Sequence, residues 1–157
     1  MASLVAATLH ATGLPAHLLE IEITEGVLIS DKARVAGTLH ELSEMGVTIA
    51  LDDFGTGYSS LSYLRDLPLN RLKIDRSFVT DLGNTEDCTI VSTIIQLGHN
   101  LGLSVIAEGV ETETLAARLA SLGCDDGQGF HFSRPMAVTN ASDLALNHAH
   151  LPRHASR

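Results

Sequence analysis

From residue 19 onward, short apolar or alternating runs take turns with segments whose apolar residues recur every three or four positions. The β-like runs are Leu19–Thr24, Val47–Asp52, Arg71–Ile74, Ser104–Glu108 and a weaker one at Gly127–Phe132. Between them lie Lys32–Met45, Leu61–Leu67, Asp87–Leu101 and Glu113–Leu122. In Lys32–Met45 the residues Val35, Leu39, Leu42 and Met45 form the stripe of a helix packed on a sheet. Gly102 and Gly123 follow the last two periodic segments, where they suit left-handed C-caps. Ala2–Ala11 reads as a leading helix closed by Gly13, with Pro15 just beyond. A last helix is expected to start near Asn140–Ala141 and end by Leu146. Residues 1–146 then form the domain, and the polar, His-rich tail 147–157 is expected to be disordered.

Strands that each lead into a helix predict a parallel sheet with right-handed crossovers. Two architectures satisfy that pattern, an open doubly wound sheet and an eightfold barrel. No glycine-rich phosphate fingerprint follows the first strand, and Leu19–Gly26 ends in carboxylates instead, which weighs against a dinucleotide-binding fold. Functional residues at the ends of several strands are the habit of a barrel, whose active site lies at the C-terminal face. A full barrel takes roughly 200 residues or more, and this chain has 157. The expected fold is therefore of the α/β class, an incomplete TIM-like (β/α) barrel. It has about five parallel strands with flanking helices and lacks about three strands at its front.

Composition narrows the chemistry. Hydrophobic residues make up 45% of the chain and aromatic residues 4%, so the core must be built from Leu, Ile, Val and Ala. A formal net charge of −9 argues against binding a nucleic acid polymer. A single nucleotide remains compatible, because bound cations reverse the field of a carboxylate cluster. Cys88 and Cys124 lack metal-ligand spacing and read as small buried hydrophobes in a reducing compartment. The N-terminus lacks a basic leader, and His10, Thr12, Gly13 and Pro15 interrupt its apolar stretch, so no membrane segment is expected and a cytoplasmic protein is.

Polar residues intrude at every strand end. In L-E-I-E-I-T-E, Ile21 and Ile23 face one way and Glu20, Glu22 and Thr24 the other. The second strand ends in Asp52-Asp53, the third offers Lys73 and Asp75 two residues apart, the fourth ends in Glu108, and the fifth brings Gln128. Any one of these alone reads as a charge meeting solvent. Together, Glu22, Asp52, Asp53 and Glu108 would gather at one mouth, where carboxylates repel unless a cation holds them. An all-oxygen set favours Mg²⁺ or Mn²⁺ over Zn²⁺. Adjacent aspartates can serve two ions about 3.5–4 Å apart, the device for in-line displacement at a phosphodiester. Lys73, set between Leu72 and Ile74 inside a strand, would balance charge and fix a phosphate oxygen or the attacking water.

The same residues carry a family resemblance. E-I-T-E-G, D-D-F-G-T-G-Y-S-S-L-S-Y-L, L-K-I-D-R-S-F-V, V-I-A-E-G-V-E-T and Q-G-F-H-F-S-R-P-M follow in order. From about Val5 to Met136 the chain closely resembles the EAL-domain family of bacterial cyclic di-GMP phosphodiesterases. The resemblance implies a modified barrel that opens cyclic di-GMP to linear pGpG with Mg²⁺ or Mn²⁺. It implies that Glu22 is a metal ligand, that Asp52 is shared between two metals and that Asp53 holds the second. Glu108 would bind metal or the nucleophilic water, Lys73 would orient that water, and Gln128 would sit at the edge with the substrate. Glu25 would anchor a mobile loop containing Gly55, Thr56, Gly57 and Ser59, whose glycines suit a hinge or lid. Glu111 and Asp75 would have support roles.

The sequence departs from the family pattern at its front. The Glu-Ala-Leu strand and the strand supplying an asparagine ligand are absent, so the metal ligand set is expected to be incomplete. A truncated phosphodiesterase domain, inactive on its own, is one expectation. A non-catalytic cyclic di-GMP-binding or interaction module is the alternative. An enolase-like barrel, which also sets carboxylates and a lysine on successive strands, is disfavoured by the Asp52-Asp53 pair and the loop after it. Open strand edges at either end predict a homo-oligomer or an upstream domain that completes the barrel.

Overall fold

The computed structural model describes residues 1–30, 32–55, 64–80, 82 and 85–141. Strands β1 (Glu20–Thr24), β2 (Thr48–Phe54), β3 (Arg71–Ile74), β4 (Ser104–Glu108) and β5 (Asp126–Gln128) form one sheet in chain order. Every pairing is parallel. Helices α1 (Ala2–Thr12), α2 (Glu25–Ser30), α3 (Lys32–Glu44), α4 (Arg76–Thr80), α5 (Thr85–Asn100) and α6 (Glu113–Ser121) complete the described elements, with a 3-10 turn at Ala16–Leu18. Sequential parallel strands with intervening helices give an arc of a TIM-like barrel, as the hydrophobic pattern predicts.

The two faces of the arc differ because side chains alternate along each strand. Ile49 and Leu51 of β2, Leu72 and Ile74 of β3, and Val105 and Ala107 of β4 join the apolar core. Leu39 and Leu42 of α3, Val91, Ile94 and Ile95 of α5, and Leu119 of α6 close over them. Each such side chain stabilises the fold by about 1.5–3 kcal/mol. The intervening positions, Glu20, Glu22, Asp52, Arg71, Lys73 and Glu108, lie on the concave face. There Arg71 pairs with Glu20 at 3.4 Å and Lys73 with Glu22 at 2.6 Å, both contacts reaching from β3 to β1 across β2.

At Gly98, α5 packs tightly against the sheet. A Cβ built there would lie 2.4 Å from Val105 Cγ2, whereas one on Gly37 of α3 would meet nothing within 4 Å. We expect Gly98→Ala to destabilise the protein by about 1–3 kcal/mol through overpacking. Gly37→Ala should be neutral or stabilise by up to about 1 kcal/mol. Urea midpoints of the two variants check the contrast.

Several local readings change. β2 runs on to Phe54, and β5 spans three residues because the chain then folds back, with His131 N–H donating to the Val110 carbonyl at 3.0 Å. The short helices α2 and α4 have too few residues to show a periodic stripe. Leu64 is helical, while 61–63 of the expected helix lie outside the described residues. Residues 138–141 are helical, and the rest of the expected last helix and the tail lie outside the described residues. Gly102 and Gly123 have φ of 77° and 90°, as left-handed caps require. Both cysteines are free and half-buried, and burial pushes the Cys124 thiol up to about 11.

Among the described residues β1 pairs only with β2, and β5 only with β4. Beside the outer edge of β1, a groove of about 700 Å³ is lined by Leu4, Val5, Leu9, Leu14, Leu19 and Ile21, among others. Among the described residues, no helix is long and apolar enough to cross a membrane.

Candidate metal and catalytic site

The site begins with an irregularity in β2. Leu51 opposes Leu72 and Phe54 opposes Ile74, so Asp52 and Asp53 together face the single residue Lys73. This is a β-bulge. Asp53 takes φ 54°, and among the described residues it is the one non-glycine with positive φ. Regular alternation would send adjacent aspartates to opposite faces. The bulge instead lets Asp52, Asp53 and Glu108 each place a carboxylate oxygen within 4.8 Å of the others.

Lys73 sits amid the carboxylates. Its ammonium is 2.6 Å from Glu22 Oε1, 2.6 Å from Glu108 Oε1 and 3.2 Å from Asp52 Oδ1, and its side chain is only 4% exposed. Burial would lower its pKa, but the contacts with Glu108, Glu22 and Asp52 outweigh that and hold it above the ordinary lysine range. The lysine is therefore a fixed positive charge. Asp53, in contrast, is raised above the usual carboxylate value, chiefly by the neighbouring charge of Asp52.

One ammonium is shared by Glu22, Asp52 and Glu108, so among the described contacts these carboxylates outnumber their counter-charge. Two carboxylates 4.8 Å apart, the outer limit for Asp52, Asp53 and Glu108, repel by about 3.5 kcal/mol at an effective dielectric of about 20. Asp52 Oδ1 is buried and accepts no hydrogen bond among the described residues. The Lys73 ammonium, 3.2 Å away, attracts it by charge. An oxygen-only donor set with an orphaned buried lone pair fits a hard divalent cation.

Beside Glu108 lies a cleft of about 180 Å³ lined by Arg76, Glu108, Gly109, Glu111, Gln128, Gly129 and Phe130. Gln128, at the end of β5, pairs in register with Glu108.

Comparison with known proteins identifies the scaffold. The EAL domain family matches residues 1–135. The chain belongs to the EAL domain family. A bifunctional diguanylate cyclase/cyclic di-GMP phosphodiesterase, MucR of Pseudomonas aeruginosa, is 50% identical over 123 residues, 78% of this chain and 18% of that protein. The crystal structure of the EAL domain of Mycobacterium smegmatis DcpA superimposes with a TM-score of 0.87 at 44% identity, covering 93% of this chain and 66% of that one. BlrP1 of Klebsiella pneumoniae, solved as a manganese/cyclic di-GMP complex, gives a TM-score of 0.77 at 36% identity, covering 85% and 34%. The chain spans about a fifth of the length of the curated relatives it matches, from 17% to 21%.

Within this EAL domain, the residues singled out in the sequence take different places. Asp52, Asp53, Glu108 and Lys73 come together directly. Glu22 stands outside the three-carboxylate group and joins the cluster through Lys73. Glu25 is buried on α2, and its Oε1 accepts the Gly55 N–H at 3.0 Å. Thr56, Gly57 and Ser59 lie outside the described residues. Asp75 turns away to accept bonds from the Ser77 N–H and hydroxyl, which hold its carboxyl below the usual range. Glu111 lines the cleft. Arg76 and Phe130, which the sequence did not flag, line it too. The available signal for Arg76 was its place one residue beyond Asp75, just past a strand end.

Proposed function

We propose that this EAL domain is the catalytic part of a cyclic di-GMP phosphodiesterase that yields linear pGpG. The observation that carries the reading is the Asp52, Asp53 and Glu108 group, closed to within 4.8 Å around the mouth of the sheet and neutralised only in part by Lys73. Glu22, Asp52, Asp53 and Glu108 would hold Mg²⁺ or Mn²⁺. Bound there, the ions would supply charge stabilisation at the phosphoryl oxygens and lower the pKa of water. Lys73 orients the attacking water and offsets the mutual repulsion of the acidic side chains. The water oxygen forms the new bond to phosphorus, the bond to the ribose 3′-oxygen breaks, and that oxygen takes up a proton. Gln128, with Arg76 and Glu111, borders the cleft in which the rest of the nucleotide would lie. Such a soluble nucleotide substrate fits work in the cytoplasm.

The open edge of β1 and the groove beside it support a second element of the proposal. Full turnover requires that this edge be covered, by self-association or by another segment that completes the barrel. Size-exclusion chromatography of the purified chain, with each fraction incubated with cyclic di-GMP and Mn²⁺, tests both parts. The expected result is metal-dependent pGpG formation confined to associated fractions. A dispersed monomer with full turnover would remove the need for a covered edge. Metal-dependent binding with no linear product in any fraction would favour the binding-module reading.

A further inference from the structure

The bend at the end of β2 is held by contacts that the proposed chemistry leaves unused. Asp53 at φ 54° is followed by Gly55 at φ 100°. A left-handed conformation at a residue with a Cβ costs on the order of 1–2 kcal/mol, so neighbouring groups must hold it. One hold is Glu25, through the Gly55 N–H. The other is an aromatic ring. A Cβ built on Gly55 would lie 2.9 Å from Phe78 Cε2 and 3.1 Å from Cζ, with Ile94 Cδ1 at 3.7 Å. Phe78 stands on α4, half-buried against the core, and its N–H donates to the Asp75 carbonyl at 3.1 Å. The segment β3–α4 thus touches the end of β2 twice, with the Lys73 ammonium on Asp52 and the Phe78 ring on Gly55. Asp53 lies between the two contacts.

We propose that Phe78 is a positioning residue for the aspartate pair: its ring, seated against Gly55, fixes the bend that turns Asp52 and Asp53 to the same side. The inference rests on the reading that those aspartates hold divalent cations. Phe78 touches neither metal nor substrate and acts through the backbone of residues 53–55.

A double-mutant cycle tests this, read by Mn²⁺ affinity from electron paramagnetic resonance titration and by amide exchange at Gly55. Gly55→Ala should weaken Mn²⁺ binding by about 10–100-fold, and Phe78→Leu by about tenfold, with faster exchange at Gly55. The double variant should bind Mn²⁺ more tightly than Gly55→Ala alone, because the smaller side chain makes room for the new methyl while the φ strain stays unchanged. A double variant whose loss is the product of the two single losses would overturn the proposal. So would Phe78→Leu with wild-type affinity and wild-type exchange. Wild type that binds no Mn²⁺, together with faster Gly55 exchange in Phe78→Leu, would sink the metal reading and support the ring's hold on the bend. If Gly55→Ala does not fold, the exchange and affinity of Phe78→Leu decide.

Discussion

Lys73→Met is expected to destabilise the metal-free protein by about 2–4 kcal/mol. The ammonium lies within 3.2 Å of three carboxylates, and removing it leaves Glu22, Asp52 and Glu108 facing one another without a counter-charge. Breaking a fully buried ion pair costs about 3–5 kcal/mol, and the partial exposure of the three partners reduces that figure. Mn²⁺ should restore more stability to the variant than to wild type, since the ion then supplies the missing positive charge and binding to the native state adds to its stability. Urea unfolding with and without Mn²⁺ measures both effects. Unchanged metal-free stability would mean that the cluster tolerates its own repulsion and that Lys73 is not its centre.

Asp52→Asn should move stability and function in opposite directions. The substitution deletes one charge of the like-charged pair that raises Asp53, and it leaves Lys73 paired with Glu22 and Glu108. Metal-free stability should therefore hold or rise by up to about 1 kcal/mol. Mn²⁺ affinity should fall by about 100-fold or more, and turnover in any active fraction by about 10³-fold, because one of three carboxylates grouped within 4.8 Å is gone. Parallel urea and Mn²⁺ titrations separate the two. A variant that keeps wild-type Mn²⁺ affinity would remove Asp52 from the ligand set.

What the sequence discloses follows the range over which each signal acts. β3 and β4 have the bounds that their apolar runs predict, because Leu72, Ile74, Val105 and Ala107 alternate cleanly into the core. The end of β2 does not. Alternation places Asp52 and Asp53 on opposite faces, and only the opposition of both to Lys73 reveals the bulge. The convergence of Asp52, Asp53 and Glu108 was readable because each sits at the same end of its strand. The indirect attachment of Glu22 was not, since it depends on how far the Lys73 side chain reaches. Phe78 was invisible for a different reason. It packs beneath a residue 23 positions earlier, and no local pattern encodes a contact at that separation.

The two ion pairs that span β2 also bear on β1, a strand that among the described residues pairs on one side only. Glu20 and Glu22 both reach β3, to Arg71 and Lys73. A slide of β1 by one residue against β2 would rotate both carboxylates toward the apolar helices and sever both pairs in a single step. The two pairs thus act as a two-toothed key, rejecting wrong alignments of an edge strand before any ion arrives.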